Sequence, residues 1–378
     1  MYSKEKEDNI KKINRYVETH ADGIADFYPV CIQIEHTSHC NAQCIMCNHF
    51  YTQNKNASEI SIDIIKKIEP VMKYCQLIML NGDGEPFLYP DIIECMKLYK
   101  QYGVKIGTNT NLCAVPKKLF EYLDVFEYLN VSCDGAKKQT FELIRKGLNF
   151  DIFLSNLKAI KENAPGLKLI LDVVVMKQNL NELPRIVELA SDYGCIKVKF
   201  HRMGVNPYIG NQEDSSDFYM QTFRKKLEEA ISIATDRKIL IEYPDGVLDC
   251  NTGDKLLISD YDTMQSEINQ RYLRVSQDMR EVGLDSDYLT QRVCREDLAT
   301  LCDVDRICHW ALERCFVDLR GNVSTCCYNT RKYMGNLNQE TFEEIWNNEN
   351  YKQFRKNMME HKLPYWCKTC NYIKDEKV

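Results

Sequence analysis

The chain has no apolar run long enough to span a bilayer, which excludes a transmembrane helix. Its opening residues, Met1-Tyr2-Ser3-Lys4-Glu5-Lys6-Glu7-Asp8, are charged and no apolar segment follows them, so a secretory signal is not expected. No basic block stands out against a formal net charge of −6, which argues against a nucleic-acid partner. Cysteine, by contrast, is abundant, with 18 among 378 residues. Clustered cysteine without a secretory context points to metal or catalytic thiols, not to a disulfide framework. A soluble, oxygen-sensitive protein of the cytoplasm, with no membrane association, is expected. The length leaves room for two or three domains, each with its own core.

From about residue 31 to 204, short β-prone runs alternate with amphipathic stretches. Strands are predicted at 31–35, 77–81, 104–108, 128–132, 168–175 and 196–201. Between the first two, Ile64, Ile65, Ile68, Val71 and Met72 recur at helical spacing over 60–74. Pro90 and Pro116 open further helices, where a missing N–H costs least. Six βα units imply parallel strands joined by right-handed crossovers. They are too few for a complete eightfold barrel, so the expected fold is α/β, a partial (β/α)6 TIM-like barrel with a C-terminal Cys-rich domain. The expected division is a helical lead-in at 1–30, the barrel at 31–204, a bridging helical region at 205–300 and the Cys-rich domain at 301–378. The bridge carries a helix at 218–234, a strand at 239–243 and a charged helical stretch at 260–295, and can cover the open side of the barrel. Chemistry is expected on loops at the C-terminal ends of the strands.

The motifs of the barrel fall at such ends. After the first strand comes Cys40-Asn41-Ala42-Gln43-Cys44-Ile45-Met46-Cys47, a CxxxCxxC pattern. Three thiolates so close together can hold three irons of a four-iron cluster and leave the fourth open. With a further His or Cys nearby they can instead hold zinc. The second strand ends in Gly82-Asp83-Gly84-Glu85-Pro86, whose glycines admit close backbone approach and whose Glu85 offers a carboxylate to an ammonium group. The third ends in Thr108-Asn109-Thr110-Asn111 and the fourth in Ser132-Cys133-Asp134-Gly135. Ser132 and Asp134 suit hydroxyl or carboxylate partners. Thr140-Phe141-Glu142-Leu143-Ile144-Arg145-Lys146-Gly147 follows, with Arg145 able to bind a carboxylate through two parallel bonds. Near the C-terminus stand Cys308, Cys326-Cys327 and the pair Cys367-Lys368-Thr369-Cys370. Arg320-Gly321-Asn322 between two β-prone runs reads as a hairpin turn that brings these cysteines together, for an iron–sulfur cluster or for a zinc ribbon.

In this order and after these strands, the motifs resemble those of the radical S-adenosylmethionine (radical SAM) enzymes. The resemblance implies that Cys40, Cys44 and Cys47 hold a 4Fe-4S cluster whose open iron binds the methionine moiety of S-adenosyl-L-methionine. One electron from the cluster then yields a 5′-deoxyadenosyl radical that abstracts hydrogen. It further implies cofactor contacts from Met46, Gly84, Glu85, Thr108, Asn109, Ser132, Asp134 and Arg145. Asp83 stands where the family's Gly-Gly-Glu motif has its first glycine. The C-terminal pattern is similar to the SPASM/Twitch extension, which implies one auxiliary 4Fe-4S cluster on Cys308, Cys326, Cys367 and Cys370. Cys315 or Cys327 is able to replace one of these. Only eight residues follow Cys370, none a cysteine, which fits the shorter, one-cluster form.

Cys250, Cys294 and Cys302 belong to neither set. A thiol beside a substrate radical can return a hydrogen atom and turn dehydrogenation into epimerisation; such residues also serve as small buried apolar groups. His201, at the end of the sixth strand with Arg202, is a candidate for proton transfer, or a structural histidine. About 30 residues precede the first strand, too few for a separate leader-binding domain, so the expected substrate is a carbohydrate-like or aminocyclitol small molecule. A maturase acting on a ribosomally made peptide is the alternative. A non-catalytic iron–sulfur electron carrier or redox sensor is an alternative of another class, and it leaves Glu85, Ser132, Asp134 and Arg145 without a purpose. A flavodoxin- or ferredoxin-like protein is the expected reductant.

Overall fold

The computed structural model describes residues 3–19, 22–47, 49, 57–203, 212–244, 247–248, 301–303, 308, 310–327, 332–364 and 367. Its frame is one ten-stranded sheet. In chain order the strands are β1 (Cys31–Ile34), β2 (Leu77–Met79), β3 (Lys105–Thr110), β4 (Phe126–Ser132), β5 (Lys168–Val175), β6 (Lys197–Arg202), β7 (Leu240–Glu242), β8 (Arg314–Val317), β9 (Asn322–Ser324) and β10 (Gly335–Asn336). The spatial order is β10-β9-β8-β1-β2-β3-β4-β5-β6-β7. From β8 through β7 every neighbouring pair is parallel; β9 and β10 are antiparallel additions. The six predicted strands therefore lie side by side as expected, and each edge gains one more parallel strand. Among the described residues no pairing joins β7 to β8, so the sheet is an open barrel.

Strand sequence sets the two faces. In β5, Leu169, Leu171, Val173 and Val175 are fully buried, whereas Ile170, Asp172 and Val174 between them are half-buried. The period of two sends the first set to the helical layer and the second into the barrel. Covering the outer face are α1 (Lys4–Thr19), α2 (Ile62–Lys66), α3 (Glu69–Met72), α4 (Ile92–Gln101), α5 (Lys138–Ile144), α6 (Phe150–Asn163), α7 (Leu183–Asp192) and α8 (Met220–Arg237). Phe150, Phe153, Leu157 and Ile160 form the buried stripe of α6, and Leu183, Ile186, Val187 and Ala190 that of α7.

The helix predicted over 60–74 is divided into α2 and α3. Pro70 sits in the first turn of α3, where it cannot accept a continuing helix from the preceding residues. The apolar spacing survives the break: Ile64, Ile65, Ile68, Val71 and Met72 are all buried. After Pro116 the chain forms a 3₁₀ helix, Lys117–Val125, and the predicted helix at 218–234 begins as a 3₁₀ turn, Ser216–Tyr219, before α8. The stretch 260–295 lies outside the described residues.

The C-terminal segment does not stand apart. β8 pairs with β1 over Cys31↔Arg314 through Ile34↔Val317, and the predicted turn at 320–322 joins β8 to β9. Two late helices, α9 (Phe342–Trp346) and α10 (Glu349–Met359), reach the N-terminal lead-in. Trp346 Nε1 donates to Phe27 O at 2.7 Å, and the fully buried Arg355 lies against Trp346, Tyr351 and Phe27 while donating to Gly23 O and Trp346 O. Among the described residues no helix is long and apolar enough to cross a membrane.

Candidate active site

The CxxxCxxC loop is clamped from two sides. Residues Gln43–Cys44 pair antiparallel with Arg145–Lys146, and Ile45 N donates to Ile144 O at 3.0 Å. Gly147 closes this contact at φ +89°, where a side chain would be strained and its Cβ would meet Asn41 O at 3.0 Å. On the other side, Asn111 Nδ2 donates to Asn41 Oδ1 at 2.8 Å, and Glu85 N donates to His39 O at the same distance. That last approach requires glycine at 84, because a Cβ there would lie 2.4 Å from Thr37 O. Cys40 is exposed, Cys47 half-buried and Cys44 buried.

Glu85 is buried and fully occupied by its own protein. Its carboxylate accepts from Thr110 Oγ1 and Asn111 N, each at 2.7 Å, and more distantly from Phe87 N. Burial raises its pKa, opposed chiefly by those bonds. Asp134 and Arg145 are paired with each other: Asp134 Oδ2 lies 2.7 Å from Arg145 Nη2, within ion-pair distance but outside hydrogen-bond alignment. Asp134 Oδ1 accepts from Val174 N at 2.7 Å. Burial pushes the Asp134 carboxyl up, against the pull of Arg145. The same guanidinium places Nη1 3.8 Å from Cys44 Sγ, and its Nε has no acceptor among the described residues. Thr108 is buried, Oγ1 donating to Asn109 O, whereas Asn109 is exposed and Ser132 half-buried at the barrel mouth. Met46 packs against Ile144, Met176 and Met203.

Inside the barrel lies a polar face. Asn109 N donates to Asn81 Oδ1 and Asn130 Nδ2 to Asn109 Oδ1, both at 2.9 Å, so three strand ends are linked by an amide ladder. Asn130 Oδ1 is buried without a partner among the described residues. On β5 and β6, His201 Nε2 is in short contact with Asp172 Oδ1, and this bond, ahead of the burial that opposes it, raises the His201 pKa. Lys197 and Lys199 face Glu242 beside them. Asp172 was not identified from sequence; the signal was a lone carboxylate at the inward phase of an otherwise aliphatic strand. Nor was His36, whose Nδ1 bonds Ile34 O and whose Nε2 bonds Tyr99 Oη, both at 2.9 Å. Since Nδ1 must donate to a carbonyl, Nε2 accepts the tyrosine proton. Burial lowers the His36 pKa to about 4.

Of the remaining predicted residues, Cys250, Cys294 and Cys370 lie outside the described residues. Cys302 is on a short strand, Leu301–Asp303, paired with Lys362–Pro364. Cys326 lines a recess with Cys31, Cys315 and Cys327, while Cys308 and Cys367 are half-buried and packed on the main core.

The donor set suits an iron–sulfur cluster. Cys40, Cys44 and Cys47 stand on one loop, and three thiolates so placed can hold three irons of a four-iron cluster. A buried cation beside Cys44, with Nε unspent, also fits a site that gathers thiolates and a carboxylate ligand.

Comparison with known proteins agrees. Residues 34–190 match the radical SAM superfamily, and residues 308–371 match SPASM, an iron–sulfur cluster-binding domain. The chain carries a radical SAM domain and, C-terminal to it, a SPASM domain. It is 24% identical over 352 residues to the AdoMet-dependent heme synthase of Methanosarcina barkeri, covering 92% of this chain and 89% of that one. The mycofactocin maturase MftC of Mycolicibacterium smegmatis is 26% identical over 50% of this chain and 47% of its own length. In fold the chain is similar to Streptococcus suis SuiB bound to its precursor peptide SuiA (TM-score 0.57, 13% identity, 92% of this chain and 70% of that one). It is likewise similar to anSMEcpe with bound AdoMet (TM-score 0.56, 17% identity, 91% and 84%). Radical SAM proteins use a 4Fe-4S cluster and S-adenosylmethionine, and SPASM domains bind auxiliary iron–sulfur clusters.

Proposed function

We propose that this chain is a radical SAM enzyme that removes hydrogen from a polar substrate seated on the inner face of its open barrel. The observation that carries the reading is the placement of Cys40, Cys44 and Cys47. They sit on a loop locked to Gly84–Glu85 on one side and to Arg145 on the other, above that face. When bound, the cluster and S-adenosylmethionine supply a hydrogen-abstracting radical. The protein binds and orients. Cys40, Cys44 and Cys47 hold the cluster. Gly84, Asn109, Ser132 and Met46 reach the cofactor, while the buried Glu85, Thr108, Asp134 and Arg145 fix their positions. Arg145 Nε remains to donate to a carboxylate. His201, held by Asp172, takes or gives a proton at the substrate through Nδ1.

A residue within a ribosomally made peptide is the substrate we favour, supported by the maturase relative and by the peptide-bound neighbour in fold. The amide ladder of Asn81, Asn109 and Asn130 favours a second reading, since it suits the hydroxyls of a carbohydrate-like or aminocyclitol molecule that is dehydrogenated or epimerised. Cys302 is then a candidate hydrogen donor, as are Cys250 and Cys294. A flavodoxin- or ferredoxin-like protein supplies electrons.

The test is 5′-deoxyadenosine formation by the anaerobically reconstituted, dithionite-reduced protein, alone and with candidate precursor peptides or aminocyclitols. Wild type forms it and Cys44→Ala does not. A wild type that carries its iron yet never forms 5′-deoxyadenosine would instead be an electron carrier or redox sensor.

A further inference from the structure

The recess beside the C-terminal hairpin mixes residues from both ends of the chain. Cys31 and Met79 come from β1 and β2, Arg314 and Cys315 from β8, and Cys326 and Cys327 from the segment after β9. Cys31 is the first residue of β1 and pairs in register with Arg314. Two positions along the strand, Gln33 shares its inward face and lines the same recess. Arg314 Nη1 lies 3.7 Å from Met79 Sδ, so sulfur atoms and a cation surround one small space.

Two buried thiols of the barrel have an ordinary structural occupation. Cys75 Sγ donates to Leu77 O at 3.1 Å, and Cys133 Sγ to Gly135 O at 3.4 Å. Cys31 is also buried, is not in a disulfide, and, like Cys195, donates to no acceptor among the described residues. A small apolar filler is the usual use of such a cysteine. Here it is placed instead at a recess shared with a cysteine of the cluster-binding domain.

We propose that Cys31, on the first strand of the radical SAM core, supplies a thiolate ligand to the auxiliary iron–sulfur centre that Cys326 helps to hold. This rests on the reading that the C-terminal cysteines bind iron, and extends it by making the core strand part of the site. One short strand then ties the two iron centres together: Cys31 opens β1, and Cys40 lies nine residues after Cys31, about 30 Å of extended chain at most. Docking of β8 on β1 and loading of the auxiliary centre become a single event.

The experiment uses the full chain with Cys40, Cys44 and Cys47 all changed to Ala, reconstituted anaerobically, so that only auxiliary iron is counted. This background is expected to retain about four irons. Adding Cys31→Ala should lower the retained iron by at least about one in four. Cys31→Ser, which offers oxygen in place of sulfur, should shift the electron paramagnetic resonance spectrum of the reduced centre. Cys75→Ala, a fully buried thiol that does not line the recess, controls for packing and should leave both unchanged. Unchanged iron and spectrum in both Cys31 variants would overturn the ligand assignment alone, as would an equal loss from Cys75→Ala. A background that holds no iron at all would overturn the auxiliary cluster with it.

Discussion

At the scale of single residues, two histidines of opposite character mark what surrounds the site. His36 is fully buried with both ring nitrogens bonded, so the fold keeps it neutral and lowers its pKa to about 4. An unfolded histidine takes its proton near pH 6.5, so between those values the unfolded chain binds more protons and stability must fall as pH falls. A shift of about 2.5 units corresponds to roughly 3 kcal/mol, present in full above pH 6.5 and lost toward pH 4. We expect urea midpoints of His36→Gln to vary less with pH across that window than those of the wild type; equal slopes would remove His36 from the account. His201 is the reverse case. Its pKa is raised by the bond to Asp172, so its contribution to stability is present at low pH and fades as pH climbs through the raised value. With half of the ring exposed, that contribution is small, and the better observable is the titration itself. In Asp172→Asn the His201 imidazole resonances should titrate at lower pH than in the wild type. Coincident curves would mean that the pair does not exist in solution.

At the scale of elements, the Cys loop depends on a brace that sequence spacing could suggest only in part. CxxxCxxC, the Gly-x-Gly-Glu turn and the strand ends were legible because each is local: a strand, then a polar or glycine-rich end. What was not legible is that Glu85, Asp134 and Arg145 spend their charges on the protein. Asp134 and Arg145 stand eleven residues apart, and only the fold of α5 back onto residues 43–44 brings the guanidinium between Asp134 and Cys44. Spacing also missed the break at Pro70, because the apolar stripe runs across it unaltered. The brace makes a prediction. Arg145→Leu strands a buried carboxylate and should cost roughly 3–5 kcal/mol in urea unfolding of the apo protein. Asp134→Asn added to it should restore part of the loss, since the amide carries no charge and can still accept from Val174 N. If the double variant is as unstable as the sum of the singles, the two side chains act independently.

At the scale of the whole molecule, the C-terminal segment completes the barrel sheet instead of hanging from it. Six βα units were readable from alternation along the chain. The parallel pairing of β8 with β1 was not, because it joins residues nearly three hundred positions apart and nothing local announces it. The consequence is that β1, the strand leading into the cluster loop, is internal only while β8 is present. Removing residues from 301 onward would uncover a row of unpaired backbone N–H and C=O groups along β1, a template for pairing with other chains. It would also strip Trp346 and Arg355 from Phe27 and so release the N-terminal lead-in. A chain ending at residue 300 should therefore elute as aggregate on size exclusion and lose cooperative thermal unfolding, even though it keeps every residue of the CxxxCxxC loop and all the strands from β1 to β7. Should it instead remain monomeric, melt cooperatively and load the iron of the Cys40, Cys44 and Cys47 site, the barrel is self-sufficient and the β1–β8 pairing is a docking contact that the core can do without.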